Sequence, residues 1–163
     1  MTASQSDYSD GWIKLLSWLF PVTYLIHIAE EYWGGEGYSD YLLRIRGVHL
    51  SPARFWVAQV IGAMLMITGI VLARRLRFLF VMLVIIGSII MINGLTHAIT
   101  ALKEGGYGPG LFSSLFLWIP LGLTTLIYLR NRCIRWKYWM AIGIGVAVNL
   151  AIDLFTMRGA RLM

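Results

Sequence analysis

The sequence predicts an all-α membrane protein, a polytopic bundle of about five transmembrane helices that forms a single domain over residues 1–163. Of its 163 residues, 58% are hydrophobic and only 13% are charged, whereas soluble proteins average about one half apolar and a quarter charged residues. The apolar residues also lie in runs close to the ~20 residues that cross a bilayer as a helix. A chain of this length leaves no room for a second, soluble domain.

The boundaries of the spans follow from these apolar runs. We expect helices at about residues 12–33, 53–73, 78–102, 111–129 and 138–156. Pro21 lies inside the first span and should kink it, because proline lacks a backbone donor and crowds the preceding turn. Ser51-Pro52 is typical of a helix start, with serine as the cap and proline at the first helical position.

A polar connection over residues 34–51 separates the first two spans. It begins with the glycine-rich residues 34–37, and residues 39–46 then carry an amphipathic pattern. Such a pattern predicts a short helix at the membrane interface, which could act as a lid. Its apolar residues are Tyr41, Leu42, Leu43 and Ile45.

The charged residues indicate a membrane topology rather than a nucleic-acid partner. The net charge is +6, but the basic residues lie beside the apolar runs, and seven fall in segments 74–77 and 130–137. We expect a protein of the cytoplasmic (inner) membrane, and the positive-inside rule favours a cytoplasmic N-terminus. Residues 1–10 have no basic region, so we expect no cleaved signal peptide. Cys133 is the only cysteine, which excludes an intrachain disulfide.

Polar side chains gather at one membrane face. Spans one, three and five run in the same direction, and near their C-terminal ends lie His27, Glu30, Glu31, Asn93, His97, Asn149 and Asp153. The i,i+4 spacing of His27 and Glu31, and of Asn93 and His97, puts each pair on one helix face. Both histidines should lie about 8 Å from their helix ends. Intramembrane ionisable groups normally face a cavity, a partner or an ion, so we expect a functional site here; Asn149 and Asp153 are included on depth and direction alone.

Three short motifs occur in order: His27-x-x-Glu30-Glu31, Asn93-x-x-x-His97 and Tyr107-x-Pro109-Gly110. Together they resemble the three signatures of the HXXEE family of bacterial integral membrane proteins, over roughly residues 20–125. The resemblance implies an integral membrane protein of uncharacterised function that is suspected to be enzymatic. It points to the residues of a site but not to a reaction.

The first hypothesis is a metal-dependent membrane enzyme. His27, Glu31 and His97 would be the metal ligands, and their number leaves a coordination position open for water or substrate, as suits zinc or non-haem iron. Glu30 would be the general base, as the similarity of the first motif to the H-x-x-E-H zinc protease motif suggests. Asn93 would orient a ligand or the substrate, and Tyr107, in a sequence typical of a turn, could reach the site as a hydrogen-bonding phenol.

Two alternatives use the same residues differently. In a metal-free isomerase or cyclase, a buried carboxylate paired with His97 would move protons on an isoprenoid or sterol-like substrate. In a binding or transport module, the same groups would carry protons or hold a cation. Each alternative predicts membrane lipid and a lipid-like or apolar small molecule as partners, and no nucleic acid. His49 is expected at the surface, and four tryptophans near span ends should form an interfacial belt: Trp56, Trp118, Trp136 and Trp139.

Overall fold

The computed structural model describes residues 11–158, and within this range every regular element is a helix. Five helices are long and apolar enough to cross a membrane, the first of them covering Gly11–Trp33. The predicted all-α bundle is therefore confirmed, with boundaries within a few residues. Residues 1–10, on which the signal-peptide expectation depends, and Arg161 lie outside the described range. The helices are α1 (Leu19–Trp33), α2 (Tyr38–Arg46), α3 (Pro52–Arg75), α4 (Leu79–Glu104), α5 (Leu111–Leu129) and α6 (Arg135–Arg158).

The first span is interrupted near its middle. Residues 11–16 are helical, Ser17 and Trp18 form a turn, and α1 begins at Leu19. Pro21 has no N–H to donate to the carbonyl of Ser17, so the helical ladder cannot continue there. It resumes with the hydrogen bond from the Val22 N–H to the Trp18 carbonyl, at 3.3 Å. The expected kink at Pro21 is thus a break in the helix about one turn before the proline.

The predicted short helix between the first two spans is confirmed as α2, which begins one residue earlier than expected. Tyr41 and Leu42 are buried, while Arg44 forms an ion pair with Glu36 at 2.8 Å on the exposed side. After α2, the Ser51 hydroxyl accepts a hydrogen bond from the Arg54 N–H at 3.3 Å, as expected of the cap of α3.

The central helix is α4, which packs against α3, α5 and α6. It approaches α5 closely, since a Cβ added at Gly122 would lie only 2.7 Å from the Gly87 carbonyl oxygen. Small residues allow such close helix packing in membranes. By contrast, α3 buries few side chains, as expected of a helix with a large lipid-facing surface. The contact of α4 with α5 places His97 beside the start of α5.

Candidate functional site

Three side chains of the first two motifs converge where α1 and α4 end. Glu31 Oε1 lies 3.5 Å from His27 Nε2 and 3.3 Å from His97 Nε2. One ligand atom from each residue falls within 4.8 Å of the others, a spacing that could accommodate a metal ion. His27 is 1% and Glu31 4% exposed. The parallel spans thus bring together the three residues that the sequence suggested as ligands.

The hydrogen bonds of His27 direct its second nitrogen into the cluster. Its Nδ1 lies 2.8 Å from the Ser113 hydroxyl, which itself donates to the Gly110 carbonyl at 3.3 Å. In the tautomer in which the His27 Nδ1–H donates to the serine oxygen, Nε2 of the neutral imidazole carries a lone pair that can bind a metal ion. Within residues 11–158 this buried Nε2 has no hydrogen-bond partner. In that tautomer, the lone pair faces Oε1 of Glu31 at 3.5 Å.

Glu30 binds the start of α5. Its Oε1 accepts hydrogen bonds from the Phe112 N–H at 2.8 Å and from the Tyr107 hydroxyl at 3.0 Å, and its Oε2 accepts one from the Ser113 N–H at 2.6 Å. Helix N-termini have unpaired N–H groups that favour a carboxylate. The residue expected as general base therefore joins α1 to α5, and its two oxygens already receive three donors.

Tyr107 reaches Glu30 rather than the histidines. Burial, together with the hydrogen bond to the Glu30 carboxylate, raises the pKa of Tyr107 to about 12. The phenol therefore stays protonated at neutral pH and acts as a donor to that carboxylate.

The last glycine of the third motif forms a cover over the cluster. Gly110 has a φ of +86°, which favours glycine, and a Cβ there would lie 2.8 Å from His27 Cε1 and 2.9 Å from His97 Cε1. The turn over residues 107–110, identified from the sequence as a connection, therefore packs directly on both imidazoles.

A hydrogen-bonded pair that the sequence analysis missed holds the other oxygen of Glu31. The Gln59 amide of α3 donates to Glu31 Oε2 at 2.8 Å, and the Tyr24 hydroxyl donates to Gln59 Oε1 at 2.7 Å. Because Oε2 is held by Gln59, Oε1 is the oxygen that faces the histidines. The sequence did contain a signal for this contact, since Gln59 is an amide inside an apolar span. It lies about seven residues after the start of α3, and this start is at the same membrane face as the C-terminus of α1.

The expectation that Trp118 belongs to an interfacial belt is wrong. Trp118 is 2% exposed, and its ring stacks on His27 with 3.6 Å between centroids. A π-helical turn at Ser114–Trp118 makes this possible. Ser113 and Trp118 would lie about 140° apart on a regular α-helix, yet here one contacts an edge of the His27 ring and the other its face. Trp56, Trp136 and Trp139 are exposed, as a belt requires.

The remaining predicted residues lie around the cluster. Asn93 and Asp153 line a small polar cavity of about 30 Å³ on the α6 side of His97. Asn149 donates to the Ile89 carbonyl at 3.4 Å and so serves helix packing. A second cavity, of about 200 Å³, lies beside Glu31 under α2 and includes the exposed His49 in its lining. Tyr38, the first residue of α2, lines both cavities.

Comparison with known proteins gives one match. A family model described as a protein of unknown function with HXXEE motif matches residues 18–125, which is more than half of the chain and contains all three motifs. Neither a curated protein nor a solved structure matches the chain.

Proposed function

We propose that this chain, which belongs to the HXXEE family, is an integral membrane enzyme that binds a divalent metal ion through His27, Glu31 and His97. Its substrate would be a lipid-like or apolar small molecule. The observation that carries the proposal is the buried meeting of one Glu31 carboxylate oxygen with the Nε2 atoms of His27 and His97, at 3.5 Å and 3.3 Å. When both imidazoles are neutral and direct a lone pair at this carboxylate, a cation among the three ligand atoms removes the repulsion between them.

The donor set is chemically suited to zinc or non-haem iron. Two imidazoles and one carboxylate leave at least one coordination position for water or substrate. When bound, such an ion supplies Lewis acidity to an oxygen of the substrate. The hydrogen bond that His27 Nδ1 donates to Ser113 and the one that Glu31 accepts from Gln59 are of the kind that orients metal ligands.

Glu30 has a different role in this proposal from the general base that the first motif suggested. Its hydrogen bonds to Tyr107, Phe112 and Ser113 support a positioning role, in which it holds the 107–110 turn and Ser113 against His27. Asn93 would orient water or substrate from the small cavity beside His97. In the metal-free alternative, His97 and Glu31 would instead carry the proton transfers.

Metal analysis of the detergent-purified protein tests the site. We expect about one metal ion per chain in the wild type and in His49→Ala, because His49 is exposed and outside the cluster. His27→Ala and His97→Ala should each lose the ion. Gel filtration and far-UV circular dichroism check that the variants remain folded. A wild type that binds no zinc, iron or cobalt, even when reconstituted, would contradict a metal centre.

Two further measurements separate the alternatives. Turnover of a bacterial lipid extract, followed by mass spectrometry and abolished by Glu31→Gln, is expected of an enzyme. If turnover persists in metal-free protein, the same residues perform the acid–base chemistry of an isomerase or cyclase. Uptake into vesicles without any chemical change of the solute would instead identify a transport module.

We also propose that the protein resides in a bacterial inner membrane with its N-terminus in the cytoplasm. The basic segments 74–77 and 130–137 support this orientation. In a Cys133→Ser background, a cysteine placed at the exposed Gly106 should react with a membrane-impermeant maleimide added to spheroplasts. Labelling only after permeabilisation would reverse the orientation.

A further inference from the structure

From the cavity beside Glu31 we infer that the substrate is a long-chain amphiphile with an uncharged hydroxyl or carbonyl group, which enters between α1, α2 and α3 with that group directed at Glu31. The inference deepens the proposed function and rests on it. Four observations carry it: the position of the cavity, its volume, the charges of its lining and the apolar surface that leads to it.

The cavity lies at the level of the membrane interface. It is bounded by the end of α1 and the start of α3, which are ends of membrane spans, and by residues 36–40, which lead into and begin α2. Glu31 is the residue that it shares with the proposed metal site. A molecule that enters this cavity therefore meets Glu31 before the other two proposed metal ligands.

The volume of the cavity suits only one end of such a molecule. At about 200 Å³, it is smaller than the roughly 300–1,000 Å³ of pockets that enclose a whole drug-sized ligand. A polar group and the first few carbons would fit, and the remainder of the chain must stay outside. The face of α3 that continues from Trp56, which contacts the lining residue Tyr32, offers an apolar surface for it, with the exposed side chains of Val60 and Ile67.

The charges around the cavity favour an uncharged group. Glu31, Glu36 and Asp40 are in the lining, and among its described residues none is a lysine or arginine. The nearby Arg44 already pairs with Glu36 at 2.8 Å. With the proposed divalent ion bound, its charge is balanced by Glu31 and Asp40, so the lining is close to neutral. A charged head group of either sign would be desolvated there without a counter-charge, which leaves an uncharged oxygen.

Aromatic side chains surround the cavity at the interface. The Tyr32 ring lies 4.9 Å from that of Trp56 and 5.4 Å from that of Trp33, and all three side chains are exposed. Tyrosine and tryptophan favour the head-group level of a bilayer, where one end of the ring is apolar and the other is wet. The cavity therefore opens where the polar ends of amphiphiles reside.

Photolabelling in lipid nanodiscs tests the inference. The probe is a hexadecanol that carries a diazirine near its hydroxyl, and labelled residues are located by mass spectrometry. We expect labels on residues 32–39 and 49–55, with at least tenfold stronger competition from hexadecanol than from hexadecyl phosphate. Equal competition by hexadecanol and hexadecyl phosphate would refute the preference for an uncharged head group. Labels spread evenly over the lipid-facing helices would refute binding in the cavity.

Variants sharpen the test. Ser39→Trp should fill the cavity and abolish the specific labelling, whereas Leu43→Trp places the same ring on an exposed position of α2 and should preserve it. Asp40→Lys should strengthen competition by the phosphate at least threefold, and Asp40→Asn less. Unchanged labelling in Ser39→Trp would refute the cavity as the binding site, and unchanged competition in Asp40→Lys would refute the exclusion by charge.

The metal content of the same samples separates the two proposals. Selective labelling of a protein that binds no metal would refute the metal centre while leaving the amphiphile site standing. Unselective labelling of a protein with bound metal would refute only the inference drawn from the cavity.

Discussion

Replacing Gly110 by alanine tests directly whether the 107–110 turn holds the histidines in place. Gly105 offers a matched control, because it also has a positive φ, of +69°, but has no atoms within 4 Å of an added Cβ. Both substitutions put an alanine in the left-handed region. Only the substitution at Gly110 directs a methyl group at His27 and His97.

The expected magnitudes follow from these geometries. A left-handed alanine costs about 1–2 kcal/mol, and the stiffer unfolded chain offsets about 0.4–1 kcal/mol of this. The backbone conformation alone should therefore cost each variant between about 0 and 1.6 kcal/mol of stability. At Gly110 the Cβ would lie 2.8 Å and 2.9 Å from the two imidazole carbons, so these rings must retreat by roughly 0.6 Å to reach ordinary carbon contact. Metal–ligand distances tolerate deviations of only about 0.2 Å.

The assay is a Co²⁺ titration followed by visible absorption, with thermal unfolding of the same micellar samples. We expect Gly110→Ala to weaken Co²⁺ binding by about tenfold or more, as disturbance around metal ligands commonly does, and Gly105→Ala to bind as the wild type does. Equal affinities in the two variants would refute the view that the turn positions the imidazoles. A loss of affinity in both would show that the strain at a positive φ, and not the contact, is responsible.

Three further predictions concern the contacts around the cluster. Gln59→Leu should weaken Co²⁺ binding about tenfold because Glu31 loses its donor, and Tyr24→Phe should have a smaller effect; an unchanged titration would contradict this. Glu30→Gln should lower the unfolding free energy by about 1.5–3 kcal/mol, since backbone donors lose a charged acceptor, yet it should retain the metal that Glu31→Gln loses. The reverse pattern of metal contents would disprove this division of roles. Trp118→Leu should destabilise by about 3 kcal/mol and Trp118→Phe by less, as thermal unfolding can show; equal losses would argue against the stacking on His27.

Helical periodicity and span direction were enough to predict the convergence of His27, Glu31 and His97. Residues one turn apart share a helix face, and parallel spans end at the same membrane face, so neither step needed knowledge of side-chain contacts. The depth of Gln59 in α3 could have been estimated in the same way, because an antiparallel neighbour begins where α1 ends. An amide in an apolar span is a polar residue whose partner should be sought in the next helix.

The partners of Glu30 and the position of Trp118 could not be predicted in this way. Glu30 bonds to N–H groups 82 and 83 residues away, and these donors depend on where the turn after α4 folds back. Trp118 enters the site through a π-helical turn, which adds a residue to one turn of the helix and rotates everything after it. Its position near a span end, from which the belt was predicted, carries no information about this turn.

The hydrogen bonds between Glu30 and the start of α5 have a consequence for the biogenesis of the protein. During synthesis, α1, α3 and α4 emerge before α5, so a nascent chain with three inserted spans already carries His27, Glu31 and His97. At that stage Glu30 lacks the donors of Phe112 and Ser113, and His27 lacks its serine. The cluster is then uncovered on the side where the 107–110 turn will pack. Insertion of the fourth span, α5, therefore closes the site after His27, Glu31 and His97 are already in the bilayer.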